Sequence, residues 1–511
     1  MGVSSKPAAP AYSAWVFCVV VKLAILAVAG RQYGYLADEL YFLDAAGHLA
    51  AGYVDFPPAI AWIIAGVTAI FGSDLMVLRT LACLVGIGAT ILAVDVSRLL
   101  GSGDTGQWIT AIVVIFAPAF LSIQSLLTMN VFDQLWWVAG FWLLIRYLEG
   151  RRPGHMLMLG VVFGCALLTK LSIAFWIAAL TAGAVIYARW LFLRWEAWAA
   201  FGIALALVSP FVYWQITHDW LFLDFVRAYN GRPPEAMVVG QPLFGLVATM
   251  NPLFAIIWLP GLVFGLIARD KTARTAGTSA VICLAMFLAA GVKFYFAAPL
   301  FILFTALGAH LWERWVVHRS VVRFLSIAAL LISGVLAVPV AAPVLPPHLL
   351  QQAADFIRDG EQGYPGSDPA PVGRYFPHFA EMHGWPELVQ EVTRHYERIS
   401  PDERAGVEIV AAYFGQAGAL NQLDLEDRLP PVYSGHVNYH LWSRGADLGD
   451  VLFVGFRPDE IGTLYGDVEI LGHFECRRCM ARDNGIPVLR ARSLKVDADA
   501  IREQIKRFYF F

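Results

Sequence analysis

The stretch RQYGYLADELYFLDAAGHLAAGYVDFPPAI, residues 31–60, groups Asp38, Glu39, Asp44 and Asp55 with Tyr33, Tyr35, Tyr41, Phe42, Tyr53 and Phe56 between two strongly apolar segments. A carboxylate held at a water interface can take the proton of a hydroxyl nucleophile, which attacks poorly until that proton has somewhere to go. Tyr35, Tyr41 and Tyr53 offer flat faces suited to a sugar or an acceptor, and aromatic side chains also settle at the lipid headgroup level. Asp55, directly ahead of Phe56 and the Pro57–Pro58 pair, is a second acidic candidate. A solvated acidic loop would have the same composition.

Cations stand elsewhere in the chain. Lys293, in KFYFAAPLFILF, lies between two apolar runs, where a lysine either snorkels to the interface or meets an anion; Tyr295 is beside it. Arg79, in DLMVLRTLACLVG, enters an apolar run and needs carboxylate, carbonyl or phosphate partners, with Asp38, Asp55 and Asp74 as acidic choices. Lys170, between two short apolar runs in LLTKLSIAFW, invites a weaker version of the same argument; as an interface anchor it needs no ligand. In SLLTMNVFDQLWW, Asp133, near Asn130, reads as a cap of the helix that follows, with a place in the polar site as the alternative.

What must position these groups is a membrane body. Of the 77 charged Asp, Glu, Lys and Arg residues, 35 fall in residues 1–340 and 42 in the last 171. Apolar runs near the ~20-residue length that crosses a bilayer recur through the first part. They cover 13–30, 75–97, 108–124, 131–147, 155–169, 171–187, 197–216, 243–267, 276–291, 294–311 and 321–340, predicting eleven spans. PAIAWIIAGVTAIF, 58–71, is short for a span and reads as an interfacial or re-entrant helix. A cytoplasmic amino terminus then puts Arg98, Arg151, Arg152, Arg189, Arg269 and Lys271 inside, as the positive-inside rule prefers. The loop 31–57 and the tail share the outer side.

The prolines of VPVAAPVLPPHLL, 338–350, close the membrane part and open a soluble mixed α/β domain, 341–511. There WPELVQEVTRHYERI and DADAIREQIKRFYF have helical spacing, and VEIVAAYF, DVLFVGF and PVLRARSL resemble strands. YFGQAGALNQ and PVYSGHVNYHLW read as loops. Cys476 and Cys479, in HFECRRCMARDNG, suit a disulfide in an oxidising compartment; a metal site with His473 is the alternative. The formal net charge of −3 gives no reason to expect nucleic acid.

YLADELYF, GYVDFPPAIAWI, LMVLRTLACLVG and KFYFAAPLFILF, in that order and separation, resemble the polyprenyl-phosphate-sugar-dependent glycosyltransferases of the GT-C fold, the superfamily of protein O-mannosyltransferases and lipid A aminoarabinose transferases. The resemblance covers roughly residues 10–340. It implies a helical GT-C bundle followed by the soluble domain, at a bacterial plasma membrane with that domain periplasmic or extracellular. It also implies transfer of one sugar, mannose-like or pentose, from a polyprenyl phosphate to a hydroxyl of a lipid, glycan or protein.

Carried over by motif, Asp38 becomes the base and Glu39 its assistant in orienting the acceptor. Lys293, Arg79 and Tyr295 become the donor-phosphate side, with membrane lipids as surroundings. No soluble cofactor is required; Asp55 matches an acidic residue that in some members helps hold a divalent cation. Phe56 departs from the aminoarabinose branch, which has a basic residue before its prolines. A transporter or flippase of a lipid-linked sugar, and a membrane-anchored glycan-binding protein, are the competing classes.

Overall fold

In the computed structural model, residues 8–230, 241–291, 294–316, 318–357 and 376–508 are described, and they divide into two compact units. The first comprises Met76–Val212 with the described parts of Met1–Gly30 and Ala236–Val344. The second comprises Arg31–Leu75 with the described parts of Tyr213–Glu235 and Leu345–Phe511. The boundary expected at 340/341 therefore has an exception: the acidic segment is grouped with the tail.

Among the described residues six helices are long and apolar enough to cross a membrane: Tyr12–Ala29, Leu75–Leu99, Trp195–Thr217, Lys271–Ala290, Tyr295–Val316 and Ser320–Ala341. Met129–Gly150 is a further 22-residue helix, and Asp104–Phe116, Pro153–Thr169, Ile173–Tyr187 and Pro252–Ile267 are shorter apolar ones. The run 108–124 is split because Pro118 has no N–H to continue the ladder, so a second helix, Pro118–Ile123, starts there. The run 243–267 is split at Asn251, whose φ of +64° breaks the helix and whose side chain accepts from Leu253 N–H.

Within the first unit the helices approach closely where glycine replaces a side chain. A Cβ placed on Gly308 would lie 1.8 Å from Ile257 O, and one on Gly261 1.9 Å from Phe304 O. Helices Ala255–Ile267 and Ala298–Val316 thus pack backbone against backbone, a device that lipid-immersed bundles favour because burial alone gives no drive there. Large apolar side chains such as Phe324, Ile332 and Leu336 point outward, as a bilayer-facing surface requires.

The second unit is built on a five-stranded sheet of order β2-β1-β3-β5-β4, from β1 (Val407–Ala411), β2 (Val432–Ser434), β3 (Asp450–Val454), β4 (Tyr465–Phe474) and β5 (Ile486–Leu494). β1 pairs parallel with β2 and β3; β5 runs antiparallel to β3, and β4 to β5. YFGQAGALNQ is not a loop: Phe414–Gln422 is the helix that connects parallel strands β1 and β2. Its glycines serve packing, since a Cβ on Gly415 would lie 3.0 Å from Ala37 Cβ and one on Gly418 3.0 Å from Leu40 Cβ. The helix Ala37–Gly47 of the acidic segment lies against that glycine face.

Candidate active site

Asp38 is the second residue of helix Ala37–Gly47, where a carboxylate is favoured by the unpaired N–H groups and the dipole of the first turn. It is partly exposed. Glu39, expected to orient an acceptor, is fully buried, and its Oε2 accepts from Leu36 N–H at 2.9 Å. That is a reach-back helix cap, a structural task.

The other two carboxylates of the segment are gripped by the tail. Asp44 is buried and accepts from Asn421 Nδ2 at 2.8 Å, from Gln422 Nε2 and from the Tyr439 hydroxyl. Burial raises its pKa above the ordinary carboxylate value, and those donors offset part of the rise. Asp55 Oδ1 accepts from the Tyr41 hydroxyl at 2.9 Å and from Asn438 Nδ2 at 2.7 Å. Burial pushes Asp55 up to about 7, and the nearby Asp38 charge adds to the rise.

Tyr41 and Tyr53, expected to offer open faces, are each 1% exposed. Tyr41 lies among Phe56, Phe414 and Tyr439. Tyr53 stacks on Phe56 at 4.6 Å, and its hydroxyl donates to the carbonyls of His48 at 3.0 Å and Ala45 at 3.2 Å. Aromatic packing claimed both rings. Tyr35 is partly exposed, with its hydroxyl on Ser73 O at 3.0 Å.

Beside Asp38 is a cluster that the sequence did not reveal. Tyr413, the residue before helix Phe414–Gln422, is buried, and its hydroxyl accepts from Arg482 Nη2 at 2.9 Å. The guanidinium also pairs with Glu381 at 2.5 Å and lies over the Tyr413 ring. Burial raises the Tyr413 phenol well above its usual value, Arg482 opposes this, and the charges of Glu381, Asp483 and Asp38 add to the rise. Burial pushes the neighbouring Asp483 up to about 6. Its Oδ1 accepts from Gln416 Nε2 at 3.0 Å.

In the first unit, Lys170 and Tyr295 come together. Lys170 is buried, its Nζ donates to Asn130 Oδ1 at 2.7 Å, and the ammonium lies 3.7 Å from the Phe296 ring centre and 5.2 Å from that of Tyr295. Thr128, not Asp133, caps the following helix; Asp133 lies inside it, takes Trp137 Nε1–H at 3.1 Å and feels the Lys170 charge.

Arg79 is 1% exposed and donates to Gly30 O at 3.1 Å, satisfying a carbonyl at the end of helix Tyr12–Ala29. Lys22, inside that helix, donates to Gln124 Oε1, and Gln124 Nε2 donates to Gln134 Oε1 at 2.8 Å. Lys22, Arg79, Cys83 and Gln124 line a small cavity of about 20 Å³, room for one water.

Lys293 lies outside the described residues. Among the described residues no group of three or more His, Cys, Asp or Glu could hold a metal ion, and Asp55 Oδ1 accepts from two donors. The expected Cys476–Cys479 bond is not formed: both residues are thiols.

Comparison with known proteins fits this architecture. The crystal structures of ArnT from Cupriavidus metallidurans, bound to undecaprenyl phosphate and in the apo state, superpose with TM-scores of 0.61 and 0.62 at 16% and 15% identity, covering 93% of this chain and 97% of theirs. This chain has the GT-C fold. Residues 55–214 match the dolichyl-phosphate-mannose-protein mannosyltransferase family model. Lipid A galacturonosyltransferase RgtD from Rhizobium johnstonii is 28% identical over 195 residues, which is 36% of this chain; the chain spans 39% of that relative's length. With its apolar helices, the GT-C chain is a multi-pass membrane protein.

Proposed function

We propose that the protein is a membrane glycosyltransferase that moves one sugar from a polyprenyl phosphate to an acceptor hydroxyl on the outer side of a bacterial plasma membrane. The ArnT structure with undecaprenyl phosphate and the mannosyltransferase family match support the lipid-linked donor. The observation that carries the reading is how the acidic segment sorts its carboxylates. Glu39 is spent on a helix cap, Asp44 and Asp55 are pinned by tail donors, and Asp38 stays partly exposed in the first turn of its helix.

In this reading Asp38 takes the acceptor proton as the acceptor oxygen attacks the anomeric carbon. The bond from that carbon to the phosphate oxygen breaks with inversion, and the lipid leaves as a phosphate monoester. Negative charge grows on the leaving phosphate, so cations lower the barrier. Lys170, with Tyr295 beside it, takes that role among the described residues, and Lys293 carries the same expectation. No step is assigned to a metal ion. The tail positions the acceptor.

The test is transfer by purified protein from a panel of polyprenyl phosphates carrying mannose, a pentose or galacturonic acid, the last chosen because RgtD is described as a galacturonosyltransferase. Products are read by mass spectrometry. Loss of a positioned base costs about 10²–10⁴-fold, so Asp38→Asn should fall by that factor while remaining folded. Equal turnover by Asp38→Asn and wild type would remove the base; absence of lipid-phosphate release from every donor would remove the reaction.

A further inference from the structure

Cys476 and Cys479 occupy the turn between β4 and β5. The turn is closed by Cys476 N–H donating to Asn484 Oδ1 at 2.7 Å, and Cys479 N–H donates to Cys476 Sγ at 3.1 Å. A backbone N–H aimed at sulfur stabilises the thiolate, and Arg477 and Arg478 stand between the two cysteines. Access differs too: Cys476 is partly exposed, Cys479 1% exposed. The contact between the sulfurs lowers the Cys476 thiol's pKa, and the same contact, with burial, raises that of Cys479.

Both cysteines pack on the backbone of Gly384, whose φ is +93°. A Cβ there would lie 3.0 Å from Cys476 Sγ and 3.4 Å from Cys479 Cβ. The turn is therefore held on both sides, and two residues between the cysteines leave a loop short enough to close by rotating side chains. Three residues beyond Cys479 comes Arg482, which holds Glu381 and Tyr413.

We propose that Cys476-Arg-Arg-Cys479 is a thiol–disulfide exchange site, with Cys476 as attacking thiolate, Cys479 as resolving thiol, and an oxidised dithiol protein as partner. The Cys476 thiolate attacks one sulfur of the partner disulfide, forms a mixed disulfide and expels the other partner sulfur as a thiolate. Cys479 then gives its proton to water and attacks Cys476 Sγ; the intramolecular bond forms and the second partner thiolate leaves. Two electrons pass from the pair to the partner. The step is independent of sugar transfer.

The probe is glutathione disulfide acting on the full-length protein in detergent, with each cysteine followed by mass spectrometry. Wild type should equilibrate reversibly between the dithiol and an internal 476–479 bond as the ratio of oxidised to reduced glutathione is varied. Iodoacetamide should modify Cys476 at least tenfold faster than Cys479. Cys479→Ser should retain glutathione on Cys476, and Cys476→Ser should retain little on Cys479. The proposal is overturned by a 476–479 bond that resists excess dithiothreitol in the folded protein, by equal alkylation rates, or by equal glutathione capture in the two variants. The wild-type titration and alkylation decide it even if a variant does not fold.

Discussion

In the segment Arg31–Leu75, Asp44 and Asp55 are met by hydroxyl and amide donors, whereas in the bundle Lys170 is met by an amide oxygen and two aromatic faces. Neutral donors hold a buried carboxylate in place without cancelling the cost of its charge, so both acids are raised toward their neutral forms. An amide oxygen and π faces do the opposite for an ammonium, since they favour the charged state. Negative charge is thus damped around Asp38, while the Lys170 ammonium is met by partners that suit a cation. The difference separates side chains that pin the fold from those able to meet a reacting group.

Replacing Lys170 tests the contrast hardest. Lys170→Met keeps most of the bulk and removes the charge; if the ammonium faces the leaving phosphate, turnover should fall by about 10²–10³-fold with the protein still monodisperse. Retention of activity within threefold would move that role elsewhere, with Lys293 next. Next in size is Asp44→Ala, which leaves the buried Tyr439 hydroxyl without this acceptor and takes one acceptor from the half-buried amides of Asn421 and Gln422. An unmet buried donor costs on the order of 1–3 kcal/mol, so the thermal midpoint in detergent should fall by several degrees, and an unchanged midpoint would show that Asp44 is no pin.

Asp55→Asn has a smaller effect, visible mainly through pH. The folded pKa of Asp55, about 7, lies above the unfolded value of about 3.9. Its stabilising contribution is therefore complete below the unfolded value and is lost as pH rises through the folded one, by an amount on the order of a few kcal/mol. Asparagine keeps an acceptor for Tyr41 and Asn438 and never ionises. The wild-type midpoint should drop between pH 5 and pH 8.5 relative to the variant, with the two converging at the acidic end. Parallel curves would mean that Asp55 does not ionise over that range.

The apolar runs other than 108–124 and 243–267, the helix Trp385–Glu397 and strands β1, β3 and β5 were legible because each depends on a local pattern of apolar residues. β4 was not. YGDVEILGHF carries two glycines and two acids, suits a solvent-washed edge strand with a register shift near Gly472, and so imitates a turn-rich segment. The helix Phe414–Gln422 was hidden for the converse reason, because glycines that look like turn formers make room for a second helix. Within the site, the DE pair and its aromatics were visible, but their partners were not. Asp44 meets Tyr439 across 395 positions and Asp55 meets Asn438 across 383, and spacing carries no signal over such separations. Nor did anything local say that Lys170 would find Tyr295, or that Arg482 would hold Tyr413.

The smallest effect belongs to Glu39→Gln, and it divides the acidic pair most finely. Glutamine at the third helical position still offers an oxygen to Leu36 N–H, so the reach-back cap survives while the charge is removed. If Glu39 acts only as a cap, stability should change by less than about 1 kcal/mol and turnover by less than threefold. If its charge assists transfer electrostatically, turnover should fall tenfold or more with the thermal midpoint unmoved. Against the large loss expected for Asp38→Asn, a near-neutral Glu39→Gln would show that two adjacent acids have been given different work by one turn of helix: the first turned to the reaction, the second folded back to close the turn that presents it.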